Sequence, residues 1–262
     1  MLLTIDSAGR VLALFTNACP ERGVTEVAGA LGVSKSKAHA LLASLTSVGL
    51  LRRTHRGRYR VGWRVLSLNR VLIETTDFHT HARPVMQALG QRFGELVHLG
   101  TLDEGKVVYI DRIMGTAAVR IDVSALGSRL DAHCSAVGKA LLANLPSSAL
   151  DDVIEHGGLP AVTARTITDR ARLDQELATV RERGFATEQG EAVEDVCCVA
   201  APIFAPGPTV VAAISVAAPA YRFRENRQLY THGIVRAATY ITRRVGDARD
   251  RVDQAEAEVV PV

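Results

Sequence analysis

The sequence predicts an α+β fold in two parts: a small, mostly helical amino-terminal head, and a larger body in which helices flank an antiparallel sheet. Three observations carry this. The 262 residues suffice for one large or two moderate domains, and a composition 47% hydrophobic and 23% charged can bury a core. The net charge of +3 conceals a division: residues 1–75 hold 11 Lys+Arg and 4 Asp+Glu, whereas residues 76–262 hold 20 and 24. The hydrophobic period also changes from helical to alternating near Glu95.

The head reads as three helices and a hairpin. Gly9 to Phe15 has amphipathic spacing, and Pro20 and Gly23 punctuate the break after it. Thr25 is placed to N-cap a short helix whose Val27, Ala28 and Leu31 share a face, stopped by Gly32. Ser34 caps the next helix, which buries Ala38, Leu41, Leu42 and Leu45 and ends at Gly49. Two short helices with Gly at the corner are the helix-turn-helix pattern. The second opens with Ser34, Lys35, Ser36, Lys37 and His39, small hydroxyls and cations suited to base edges and phosphates. Capping and solvation alone would account for these residues, were it not for the basic segment beyond Gly49. Leu50 to Gly62 reads as two strands turning at Arg56-Gly57, packed through Leu51, Tyr59 and Val61, with Arg52, Arg53, Arg56, Arg58 and Arg60 within nine residues. A basic hairpin directly after such a helix is a wing that can lay arginine on phosphate or in the minor groove. The head is thus a winged helix-turn-helix over residues 1–62, and its expected partner is double-stranded DNA.

Residues 63–76 have helical spacing and form a linker helix. The body covers 77–248 and opens with a helix interrupted or started near Pro84. Strands come next at ELVHLGTL and KVVYIDRI around Asp103-Glu104-Gly105, then at AVRIDV, GFATEQ, VCCVAAPIF and TVVAAISVAA. Helices lie at SAVGKALLANL, SSALDDVIEH, DRARLDQELATVRERG and from Glu225 to about Val245, and residues 249–262 read as a flexible tail.

Several function classes are disfavoured. No apolar run approaches the ~18 residues of a membrane span, and MLLTIDSAGR lacks the basic and apolar regions of a signal peptide. Cys19, Cys134, Cys197 and Cys198 form no C-x-x-C pair, which fits a reduced, cytoplasmic protein. His79 and His81 would point apart on a helix and lack a third ligand, so no metal is expected. No nucleophile-elbow, metalloprotease or phosphate-loop motif is present. A nucleophilic Cys134 beside His133 lacks an orienting group, so no catalytic residue is assigned. A thiol redox sensor at Cys197 or Cys198 is the stronger alternative; on a strand those two face opposite ways.

The segments SKSKAHALLASLTSVGLL, YRVGWRVLSL, HCSAVGKALLANLP, LDQELATVRERGFATEQGE and CVAAPIFAPGPTVVAAISV resemble the IclR family across nearly the whole chain. The resemblance implies a GAF-like effector domain behind the head, a homodimer or homotetramer on palindromic operators, and a small metabolite, usually a carboxylic or aromatic acid, as effector. It also implies the pocket: Ala136 and Val137 at a helix start, where backbone N–H groups favour an anion, Glu188 where the family often has Asp, and Cys198 and Ser215. Three departures stand out. Asp195 replaces a common Gly, Ala217 a frequent Ser, and Ala40 an Arg of the recognition helix.

Overall fold

The computed structural model describes residues 3–259, with side chains described through Asp247. The chain forms two compact units, residues 1–75 and 76–262.

The first unit contains α1 (Leu3–Ala13), α2 (Val24–Leu31), α3 (Lys35–Ser47), β1 (Leu51–Arg53), β2 (Tyr59–Val61) and α4 (Arg64–Glu74). Val11, Val27, Ala38, Leu42, Leu45 and Leu51 are at its centre, every one of them from a helical or strand stripe. The helix-turn-helix corner is Gly32, whose φ of 67° few other residues adopt cheaply. Ser34 Oγ accepts the Lys37 N–H at 3.2 Å and starts α3 as expected.

Three expectations for this unit change. α1 begins at Leu3 and ends at Ala13, ahead of the stretch read as helical. The N-cap of α2 is Gly23, not Thr25, because the Glu26 carboxylate reaches back to accept the Gly23 N–H at 2.6 Å. Val61 is 42% exposed, so the wing packs through Leu51 and Tyr59 alone. Arg22 also bonds Tyr59 through both backbone groups, adding an edge to the hairpin.

The second unit holds α5 (Asp77–Phe93), β3 (Leu96–Asp103), β4 (Lys106–Met114), β5 (Arg129–Asp131), α6 (Ala136–Leu142), α7 (Ser147–Gly157), α8 (Arg170–Arg183), β6 (Ala186–Gln189), β7 (Val196–Phe204), β8 (Val210–Pro219) and α9 (Ala220–Val259). The strands form one antiparallel sheet in the order β5-β4-β3-β8-β7-β6. One face packs on α5 and α9 through Val97, Val199, Ile203, Ile214 and Val216. The other carries α6, α7 and α8 over Val107, Ala186, Ala200 and Ala213. Alternation of side chains therefore sends successive residues of one strand into two different cores.

The β3–β4 hairpin turns at Glu104-Gly105, with φ of 47° and 76°, the two left-handed residues of a tight hairpin. AVRIDV is not a strand. It is a loop closing in a 3₁₀ turn at Asp122–Ser124, and the third strand is Arg129–Asp131. Apolar alternation alone cannot distinguish a strand from a cover segment lying over a cavity. α5 continues through Pro84 rather than stopping there. α9 starts at Ala220, five residues before the expected Glu225, and runs past Val245 to Val259. Residues 260–262 of the expected tail lie outside the described residues.

Candidate effector pocket and DNA-reading face

Strand register assembles the body's pocket. β6, β7, β8 and β3 place Glu188, Cys198, Ala217 and Leu96 in one row across the sheet, and Ser215 stands opposite His98 two residues along. This face of the sheet meets α6, whose close approach depends on Gly138. A Cβ there would overlap the Ala132 backbone. Ser135 Oγ caps α6 by accepting the Gly138 N–H at 3.0 Å. All five residues assigned to the effector, Ala136, Val137, Glu188, Cys198 and Ser215, line a single cavity of about 30 Å³.

Sequence reasoning missed half of the wall. His98 and Tyr109 form its aromatic side, with ring centroids 4.9 Å apart. The 3₁₀ turn covers it with Ile121 and Ser124, and Ser124 Oγ lies 2.8 Å from His98 Nε2. Val193 and Val196 close the end beyond β6. Their partner positions depend on register and loop path, neither of which is written in local pattern.

The electrostatics are one-sided. Burial holds the His98 imidazole neutral, with its pKa lowered to about 3. Burial raises the Glu188 carboxyl to about 7, against which the Glu191 and Ala192 backbone N–H groups at Oε1 pull only partly. No Lys or Arg lines the cavity. Lys139 is 1% exposed nearby on α6, but its Nζ is engaged by Glu191 Oε1 at 2.6 Å.

The cysteines take different positions. Cys197 faces the α5–α9 core and Cys198 the cavity. Burial raises both thiols, and it pushes Cys134 up to about 12. A low, cation-assisted pKa is what a reactive thiol needs. His133 Nε2 donates to the Pro160 carbonyl at 3.1 Å and Cys134 Sγ to Asp131, so this pair is packed structure outside the cavity. His79 Nε2 turns to Asp111 at 2.9 Å, and the described residues contain no cluster of three or more metal-ligating side chains.

On the head, Lys35, Ser36, Lys37 and His39 are exposed together on α3, opposite its buried stripe. Ala40 is exposed among them. Arg56 is exposed in the wing turn. Arg52 stacks over Trp63, 5.1 Å from the ring centroid. Arg58 points the other way: its guanidinium reaches Glu26 at 2.7 Å and the Glu21 carbonyl at 3.1 Å, pinning the wing to α2.

Family models cover both units. One for the IclR helix-turn-helix domain matches residues 4–55, and one for the bacterial transcriptional regulator IclR C-terminal domain matches residues 71–243. This chain belongs to the IclR family of DNA-binding transcriptional regulators. The family's members are regulators rather than enzymes. Similar to this regulator are XynR of Escherichia coli strain K12, 31% identical over 92% of this chain and 98% of that one, and KipR of Bacillus subtilis strain 168, 30% identical over 93% and 97%. Among solved structures, an IclR homolog from Microbacterium hydrocarbonoxydans complexed with 4-hydroxybenzoate is 25% identical, with a TM-score of 0.82 over 92% of this chain and 98% of that one. The Thermotoga maritima IclR is 28% identical, with a TM-score of 0.76 over 94% and 100%. Among the described residues no helix is long and apolar enough to cross a membrane.

Proposed function

We propose that this IclR-family regulator reads a palindromic operator as a homodimer or homotetramer, and that a small organic acid in the cavity bounded by Ala136, Val137, Glu188, Cys198 and Ser215 sets its DNA affinity. The observation that carries the effector half is the convergence of all five residues on one cavity. The ligand-bound Microbacterium relative supports an aromatic acid as the class to test first.

On the head, Lys35, Ser36, Lys37 and His39 enter the major groove, and Arg56 meets phosphate or minor groove. Arg52 and Arg58 act mainly by stiffening the wing, since Trp63 and Glu26 hold them. Ser34 caps α3 and offers its remaining hydrogen-bonding capacity to a phosphate. A second copy accounts for α4, which buries no residue and leaves Leu66, Leu68 and Val71 more than half exposed, as is Trp63 just ahead of it. In a two-fold pair the recognition helices would sit roughly 34 Å apart.

At about 30 Å³ the cavity is small for an organic acid. An effector therefore enters as the segments that cover it, 121–124 and 192–196, move outward. That makes the ligand selective for one arrangement of the body, the condition for shifting DNA affinity, typically by ~1–3 kcal/mol. Fluorescence anisotropy on promoter fragments, with and without 4-hydroxybenzoate and related acids, tests the reading. Binding should weaken steeply with salt. A flat salt response, or no preference for any fragment over random duplex, would defeat it.

A further inference from the structure

The effector cavity is lined by one carboxyl group and by no Lys or Arg. Glu188 is 2% exposed, and its Oε1 accepts backbone N–H groups from Glu191 and, at 3.2 Å, Ala192. The titratable groups around it are Tyr109 from β4, Cys197 and Cys198 from β7, Cys134 ahead of α6, Glu191 from the β6–β7 loop and His98 from β3; Arg112 of β4 stands opposite His98 but outside the cavity lining. β8 contributes only Ser215 and Ala217. The residues that line the cavity itself include no Lys or Arg. Lys139 of α6 is committed to Glu191.

We infer that this cavity accommodates one negative charge at most, so that a carboxylate effector binds together with one proton, which resides on Glu188. The inference rests on the effector reading of the cavity and adds its charge rule. Of two carboxylates sharing one buried site without a cation, one has its pKa strongly raised and holds a proton. Protonated Glu188 keeps Oε1 as an acceptor for the two N–H groups and offers an O–H to the ligand. The proton comes from solvent, and no covalent bond changes. The raised pKa of the Glu188 carboxyl, about 7, means the competent form is already well populated at neutral pH. A neutral hydroxylated ligand would bind without this linkage, and a cationic one would show the opposite pH trend.

Isothermal titration calorimetry on the full chain tests it, with pyruvate, benzoate, 4-hydroxybenzoate and the uncharged 4-hydroxybenzamide as probes. Titrations in two buffers of unlike ionisation enthalpy, from about pH 6 to about pH 9, count the protons taken up. Whichever acids bind should take up close to one proton at the alkaline end. Their Kd should weaken by about 50-fold between pH 7 and pH 9, following the protonated fraction. Glu188→Gln should abolish both the uptake and the slope while retaining binding; should that variant fail to fold, the proton count on the unmodified chain decides alone. Acid binding with no proton uptake and a flat profile, or binding that tightens as pH rises, overturns the charge rule but leaves the cavity as the effector site. Absence of heat with all four probes at every pH overturns both.

Discussion

Lys139 and Glu191 form the most deeply buried ion pair described, 1% and 11% exposed at their side chains. Lys139→Met keeps the length of the side chain and removes its charge, leaving Glu191 facing no cation. Burial already raises the Glu191 carboxyl, and Lys139 is the largest influence opposing that rise. Breaking such a pair costs ~3–5 kcal/mol if the remaining charge stays. Glu191 has an escape, however: it can take up a proton. The cost then grows by about 1.4 kcal/mol per pH unit above the ordinary carboxylate pKa. The expected loss is about 1 kcal/mol at pH 5 and about 3 kcal/mol at pH 7. Urea unfolding followed by circular dichroism at both pH values measures it. A double change, Lys139→Met with Glu191→Leu, should recover most of the loss by replacing a buried pair with apolar volume. A single variant within about 0.5 kcal/mol of the parent at pH 7, or a loss that ignores pH, would refute the reasoning.

Further outcomes are expected. Glu188 binds its proton more tightly folded than unfolded, so its contribution to stability is present below pH 4.5 and lost as pH rises through about 7. Glu188→Gln should therefore gain about 3 kcal/mol on the parent across that window, read from paired denaturation curves in which the opposite trend of His98 cancels. Gly138→Ala sets a methyl against the Ala132 backbone and should cost about 3 kcal/mol in a thermal melt. Asp195→Gly relieves a left-handed residue at φ 60° and should gain up to about 1 kcal/mol, seen as a higher Tm. Arg56→Ala should lower the slope of log Kd against log salt by about one on operator DNA without moving Tm; Arg58→Ala, which unpins the wing from Glu26, should lower Tm as well.

Local chemistry was legible wherever one residue type answers one geometric need. Gly32 and Ser34 bracket the helix-turn-helix corner because a left-handed C-cap and an N-cap each have few solutions. Asp103-Glu104-Gly105 marked its hairpin for the same reason. The five residues assigned to the effector came from resemblance; strand register brings Glu188, Cys198 and Ser215 together, and α6 lays Ala136 and Val137 against them in one cavity. Thr25 misled because Glu26 offered a competing cap, and AVRIDV misled because alternation records burial on one side without recording what lies beneath.

By itself, then, the sequence determined the charge asymmetry, the identity and order of most elements, and which faces are apolar, since each depends on neighbours a few positions apart. Only the tertiary structure decided that Lys139 is buried, that Arg58 serves the wing rather than pointing outward, and that His98, Tyr109 and Ser124 complete the pocket. Those outcomes depend on which residue stands opposite across a sheet or a loop, tens of positions away, and no local period encodes a distant partner.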